Sequence, residues 1–304
     1  MRRFGAYVRQ RPSDGFILVA VLWILGALAT LASIYAIYVT NTAISLDVNN
    51  DRVVAEGAVS AALELTAYRL ASVSDDARPT RGAFSFRIGP VKTAVRYRSE
   101  AARIDLNLAP KELLAGLFTV LGARPDDAQF YADRIVGWRT SAKDDARDSE
   151  IAAYQTAGLS YYPRQAPFPS VEELPLILGL PPALAESATP YLTVFSGRPG
   201  VNILDAEPTV IAALPGMTPD RLYSVLGQRE ATGAQDPKST MELLGPAKSS
   251  ATVEGSRAMR VNVSAAFDNG RQVHAEAVIL ISTDATADEP FRVLAWQDDF
   301  DGPT

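Results

Sequence analysis

From Gly15 to Leu46 the chain carries no charged side chain, and its most apolar stretch, residues 16–39, is 24 residues long. About 20 apolar residues in a helix are enough to cross a hydrocarbon layer roughly 30 Å thick. Residues 41–50 turn polar without Pro or Gly, after which apolar positions recur at Val54, Ala58, Ala61, Leu65 and Tyr68. Steps of four and three predict an amphipathic stripe, so one helix is expected from Phe16 to about Ser72. At 1.5 Å per residue it would be about 85 Å long, with one half suited to lipid and the other to packing on a folded head.

The period then changes to two. Alternation over Ala83–Ile88 and Val91–Tyr97, around Gly89-Pro90, predicts a β-hairpin, with a third strand expected near Ala101–Leu106. The same pattern returns at Met259–Ala265 and Val273–Ile281 around Asp268-Asn269-Gly270-Arg271, where Asn-Gly suits a tight turn. Phe291–Trp296 predicts a last short strand. These groups are expected to form one sheet on the helix, interrupted by the middle of the chain.

That middle, about 108–250, reads as helical and contains an echo. Ile104–Leu117 aligns without gaps on Val201–Leu214, 97 residues later. Each copy predicts a short extended piece and a Pro-started helix, because Pro suits a first turn whose N–H has no partner. Phe168–Leu174, followed by Gly179-Leu180-Pro181-Pro182, is expected to form a related unit.

Composition narrows the chemistry. The 304 residues include no Cys and a single His, His274. Disulfides, thiolate chemistry and Cys- or His-based metal sites are thereby excluded or nearly so. Without the first 15 residues, 25 basic and 34 acidic side chains remain, a net charge of −9 that disfavours a polyanionic partner. Neither Gly-x-x-x-x-Gly-Lys-Ser/Thr nor Gly-x-Gly-x-x-Gly occurs, no Ser sits in a nucleophile elbow, and His274 falls mid-strand. No enzyme is expected.

Arg2, Arg3, Arg9 and Arg11 precede the apolar run against the single Asp14. Short basic flanks stay cytoplasmic, so the bulk is expected across the membrane. The run is too long for a cleaved secretory signal, whose apolar part has about 7–15 residues. A plain anchor would satisfy the hydropathy but does not account for the edge Asp14-Gly15-Phe16, where the leader stops at a Gly and the apolar helix starts at once. This edge resembles the site of a prepilin peptidase, which cleaves after the Gly and methylates the new N-terminus, here Phe16. Pilins and most pseudopilins have Glu as fifth mature residue, whereas Ala20 stands there, and the K-type minor pseudopilins of type II secretion share that lack.

The chain resembles that K-type family over nearly its whole mature length, through GFILVAVLWILGALATLA from Gly15, Asn107–Leu114, Val171–Leu174, Tyr191–Gly197 leading into Val201-Asn202, and Phe291–Trp296. The resemblance implies an α+β fold: a long N-terminal transmembrane and amphipathic helix packed on an antiparallel pilin-like sheet, with a large α-helical domain, SAM-like or helix-hairpin-helix-like, inserted in the sheet. The expected division is leader 1–15, transmembrane half 16–40, periplasmic helix and first strands 41–107, inserted domain with two related units 108–250, and closing strands and tail 251–304. The resemblance further implies a subunit at the tip of the periplasmic pseudopilus, anchored in the bacterial inner membrane with its N-terminus cytoplasmic. Implied partners are the I-type and J-type minor pseudopilins, then the H type, the major pseudopilin, the prepilin peptidase, the inner-membrane assembly platform and membrane lipid.

Two other readings stand beside this one. Helix-hairpin-helix units also occur in DNA-binding proteins, which makes a membrane-anchored DNA receptor the rival function. Its phosphate grip needs a Gly-apolar-Gly turn, whereas Gly216 is followed by Met217-Thr218, and the first copy offers Gly122-Ala123-Arg124; with the acidic surplus, nucleic acid is not expected as a partner. The acidic run 143–150 contains Asp144, Asp145, Asp148 and Glu150, oxygen donors of the kind calcium uses. Relatives place an acidic loop after a Trp in this region, and Trp138 precedes the run here, but Thr140, Ser141 and Ala142 replace the nearest acids. A solvated turn paired with Lys143 and Arg147 is weighed above a calcium site, and no cofactor is otherwise required.

Overall fold

The computed structural model describes residues 14–141, 144–232, 236–282 and 289–299. Its elements form two compact units, 1–57 and 58–304. Helix α1 runs through Asp14–Ala71 without a break.

In the first unit, the part of α1 from Phe16 to Thr42 is long and apolar enough to cross a membrane, with mean hydropathy 2.5 and no burial. The Ser and Thr hydroxyls inside it are satisfied locally. Thr30 donates to the Gly26 carbonyl at 2.8 Å, Ser33 to Ala29 at 2.9 Å and Thr40 to Ala36 at 2.9 Å. That arrangement leaves none of these three hydroxyl protons unbonded in an apolar surrounding.

In the second unit, the end of α1 buries Ala58, Val59, Ala62, Leu63, Thr66, Ala67 and Leu70. The expected stripe is thus displaced by about one position: Leu65 and Tyr68 are exposed. Small alanines let the helix approach closely, and the buried Thr66 hydroxyl is satisfied by the Ala62 carbonyl at 2.7 Å. The Arg69 guanidinium lies 4.1 Å from the centroid of the Phe84 ring, which marks the sheet face turned toward α1.

The sheet has five strands in the order β1-β2-β7-β8-β9: β1 Arg81–Ile88, β2 Val91–Ser99, β7 Ala258–Phe267, β8 Gln272–Ile281 and β9 Phe291–Asp298. All neighbours are antiparallel. Gly89 at φ 52° turns the first hairpin and Gly270 at φ 90° the second, conformations that Gly adopts without a Cβ penalty. Phe84, Val95, Val263 and Ala275 line up across the face toward α1, and Ala83, Arg96, Asn262, Glu276 and Gln297 across the opposite face.

Between β2 and β7 the chain forms helices with their own core, built on Phe118, Trp138, Tyr154 and Phe168 among others. Here lie β3 Ile104–Asp105, α2 Lys111–Val120, α3 Pro125–Arg139, α4 Asp144–Thr156, α5 Pro182–Ala188, β4 Leu192–Thr193, β5 Val201–Asn202, α6 Pro208–Ala212, α7 Pro219–Thr232, α8 Pro237–Glu242 and β6 Ala251–Thr252. The strand expected near 101–106 does not join the main sheet. Residues Glu100–Ala102 form a 3-10 turn, and β3 pairs in parallel with β4 in a sheet of two. The chain must leave the sheet plane there to start the helical segment, and Ser99 caps the exit by accepting from the Ala101 N–H at 3.3 Å.

Candidate functional site

The residues at the expected processing edge belong to the first unit. Asp14 and Gly15 are in the first turn of α1, with side chains outside the described residues, and Phe16 is exposed. Ala20 sits one turn further on, within the apolar run. Each is a position on the single helix α1, whose residues from Gly15 to Leu46 carry no charge.

In the second unit the sequence echo is a structural duplication. In module one, β3 leads through residues 106–110 into α2; in module two, β5 leads through 203–207 into α6. The Ala109 N–H donates to the Asp105 carbonyl at 2.8 Å, and Ala206 repeats this with Asn202 at 2.9 Å. The Asp105 carboxylate accepts from the Asn107 N–H at 2.8 Å, and the Asn202 amide oxygen from the Leu204 N–H at 2.9 Å. These are Asx turns, in which a short side chain imitates a backbone acceptor. Pro208 takes the first turn of α6, whereas Pro110 stands just outside α2 as its cap.

Two features of the duplication escaped the linear alignment. The Arg139 guanidinium, from the end of α3, donates to the carbonyls of Leu106 and, at 2.6 Å, Ala109. Arg229, from α7, does the same to Ile203 at 3.4 Å and Ala206 at 2.6 Å. Burial lowers the pKa of both arginines, and Asp105 and Asp205 respectively oppose the shift. The second feature is the closing strand: β3 pairs with β4 and β5 with β6, both parallel, with Leu106 donating to Thr193 at 2.8 Å and Ile203 to Thr252 at 3.1 Å. The signals are Leu-Thr-Val at 192–194 and Ala-Thr-Val at 251–253. They are hard to find because the loops before them differ in length. Of Phe168–Leu174, expected with Gly179–Pro182 to form a related unit, residues from Val171 on lie in a 3-10 turn, Val171–Leu176, that precedes α5 and β4.

The modules meet through α2 and α6, where Gly116 lies so close to the Ala213 carbonyl that a Cβ would collide with it. Each hairpin turn has a Gly at positive φ, Gly122 at 99° and Gly216 at 74°. The neighbouring arginines are engaged within their own hairpins. Arg124 pairs with Asp127 at 2.6 Å, and Arg221 donates to the Gly216 carbonyl at 2.9 Å.

From Asp144 on, the acidic run lies in helix α4 and not in a turn. Side chains of Asp144, Asp145 and Asp148 lie outside the described residues. Glu150 turns inward, pairing with Arg134 at 2.9 Å, and burial raises its pKa against the pull of Arg134. Its carboxylate fills the space beside Gly137. Among the described residues no group of three His, Cys, Asp or Glu could hold a metal. Trp138 is buried nearby, stacked on Phe168 with centroids 6.0 Å apart. Tyr154 accepts from the Leu178 N–H at 3.1 Å, and burial pushes its pKa up to about 12.

The face of the sheet opposite α1 opens into a cleft of about 960 Å³. At its floor a buried Glu100 accepts from the Arg260 Nε at 2.8 Å and from the Thr193 hydroxyl, while Arg260 also pairs with Glu276. Burial alone would depress the Arg260 pKa, but the two carboxylates hold its charge and raise it. This network ties β7, β8, the turn after β2 and β4 together.

The chain thus combines a helix long and apolar enough to cross a membrane with a five-stranded antiparallel sheet interrupted by a helical segment. The model of the family described as type II secretion system (T2SS), protein K, first domain, matches residues 97–197. Among solved structures, a chain of the GspK-GspI-GspJ complex from the enterotoxigenic Escherichia coli type 2 secretion system shares the fold. The TM-score is 0.59 at 17% identity, over 84% of this chain and 98% of that one. No curated protein matches the sequence. Over residues 97–197 the chain is therefore similar to the protein K family, and it shares the fold of the solved structure.

Proposed function

We propose that the protein caps the tip of a type II secretion pseudopilus, supporting its initiation and the export of folded proteins across the outer membrane. The observation that carries this reading is the single helix Asp14–Ala71, uncharged from Gly15 to Leu46, together with a sheet interrupted by residues 100–257 between β2 and β7. Such an uncharged rod can leave lipid and become the spine of a fibre, and a bulky insertion would obstruct stacking anywhere except the end. In this account a prepilin peptidase cleaves after Gly15 and Phe16 is methylated. Ala20 replaces a Glu that would otherwise meet the amine of the subunit ahead, and a subunit with none ahead does without it. The N-terminus is cytoplasmic and the head periplasmic.

The subunits contacted are minor pseudopilins of the I and J types, as in the complex of the matching structure, then the H type and the major pseudopilin, with assembly driven by the inner-membrane platform. The work runs through surfaces, without catalysis or a resident cofactor. Saturable heat on titrating the full chain with Ca²⁺ would count against that last clause. The engaged arginines at the two hairpin turns favour packing modules over a DNA grip. The deciding measurement is the N-terminal mass of the membrane-extracted protein: loss of residues 1–15 with one methyl on Phe16 is expected, and an intact Met1 would overturn the reading.

A further inference from the structure

Strands β1 and β2 carry Arg81, Arg87, Lys92, Arg96 and Arg98 and no acidic residue. By the strand alternation all five sit on the face away from α1, in a chain whose net charge is −6. Within the cleft the carboxylates already have partners. Glu100 and Glu276 hold Arg260, Glu207 meets Arg98 at 3.5 Å, Asp299 meets His274, and Asp298 accepts from the Trp296 indole at 2.5 Å. Asp298 and Asp299 belong to the β9 side, three strands from β2 and so about 14 Å away. That is beyond the screening length of about 8 Å at physiological salt.

On the β1–β2 side two guanidinium groups remain. Arg96 is exposed, and Arg103 is half-buried in the cleft wall, its pKa lowered first by burial and then by Arg260. Among the described residues neither has a hydrogen-bonding or ion-pair partner. Glu100, Glu276 and Glu207 act on Arg103 only from a distance and are already engaged by Arg260 and Arg98, so a further carboxylate would be favourable there. Beside it, β1 closes the five-stranded sheet with no described strand beyond, so the outward N–H and C=O groups of Arg81–Ile88 are open to pairing.

We propose that this cleft and the β1 edge seat an acidic, extended segment of a neighbouring pilin-like subunit, its backbone adding to β1 and its carboxylates reaching Arg96 and Arg103. The mode is strand addition, with arginine forks giving register and steering. The proposal rests on the subunit reading above and adds which surface does the docking and what chemistry the partner must bring.

The test uses the full chain in detergent, captured with co-expressed I-type and J-type pilin-like partners. Arg96→Glu, at an exposed site without a partner, is expected to leave the melting temperature unchanged, weaken the complex about tenfold and flatten its salt dependence. Arg103→Gln should weaken it in the same direction, and Arg292→Glu on β9 should leave it intact. A wild-type complex that Arg96→Glu does not weaken overturns the docking surface while leaving the subunit reading standing; failure of the wild type to form any complex overturns both. Loss of binding to anionic phospholipid vesicles in Arg96→Glu, with the protein complex unaffected, would reassign the cleft to lipid and overturn the proposal.

Discussion

Modules one and two keep the same backbone trap and fill it differently. In both, an Asx turn after a two-residue strand is gripped by an arginine from a later helix and closed by a parallel strand ending in Thr. Module one adds an aromatic interior of Trp138, Tyr154, Phe168 and Tyr161, whereas the second helix of module two leaves Tyr223 exposed. The turn residue differs as well. Asp105 accepts from two backbone N–H groups, at Asn107 and, at 2.9 Å, Gly197, while Asn202 accepts from one and donates to Asp205 and the Val253 carbonyl. A repeat is therefore conserved here as a hydrogen-bond circuit whose packing is free to drift, because unmet buried carbonyls cost more than a changed side-chain shape.

The junction between the modules offers the largest effect. Gly116→Val would drive its side chain into the Ala213 backbone, and a rigid backbone neighbour cannot yield, so a loss of about 3 kcal/mol is expected. Thermal melting of the full chain checks it, and unchanged stability would mean the modules do not meet there. Exchanging the turn residues sharpens the contrast. Asn202→Asp places a carboxylate against Asp205 and the Val253 carbonyl and should cost about 2 kcal/mol at neutral pH, less when acidified. Asp105→Asn should cost less, about 1 kcal/mol, because one N–H acceptor is lost without new repulsion.

Removing either arginine should hurt to a similar degree. Arg139→Leu and Arg229→Leu each strand two carbonyls and are expected to cost about 1–2 kcal/mol in denaturant titrations. Lysine should restore little, since one ammonium does not reproduce a fork; full rescue by Lys would reduce the arginine to a simple charge. The smallest effect concerns α4, which only module one has. Burial places the folded-state pKa of Glu150 above the ordinary 4.5, so the native state binds that proton more tightly than the unfolded chain. Its favourable share is in place below about pH 4.5 and is lost as pH rises through the raised value. Glu150→Gln should flatten the stability profile over that window, read as the denaturation midpoint at a series of pH values.

Much of this molecule is written in local pattern. The uncharged run after Asp14, the alternation around Gly89-Pro90 and Asn269-Gly270, and the echo between Ile104 and Val201 each specify their element, because burial face and turn geometry are set by residues adjacent in the chain. Tertiary structure alone decided the rest. Which stripe of α1 is buried depended on how closely alanines allow it to approach the sheet, and so Leu65 and Tyr68, apolar at helical spacing, face outward. The pairing of β3 with β4, 88 residues on, the grip of Arg139 on a turn 30 residues earlier, and the turn of Glu150 toward Arg134 are contacts between distant segments. Such contacts leave no spacing signature, because loop closure over tens of residues costs little more for one separation than for another. The chain order therefore names the parts, and only packing reveals which of them meet.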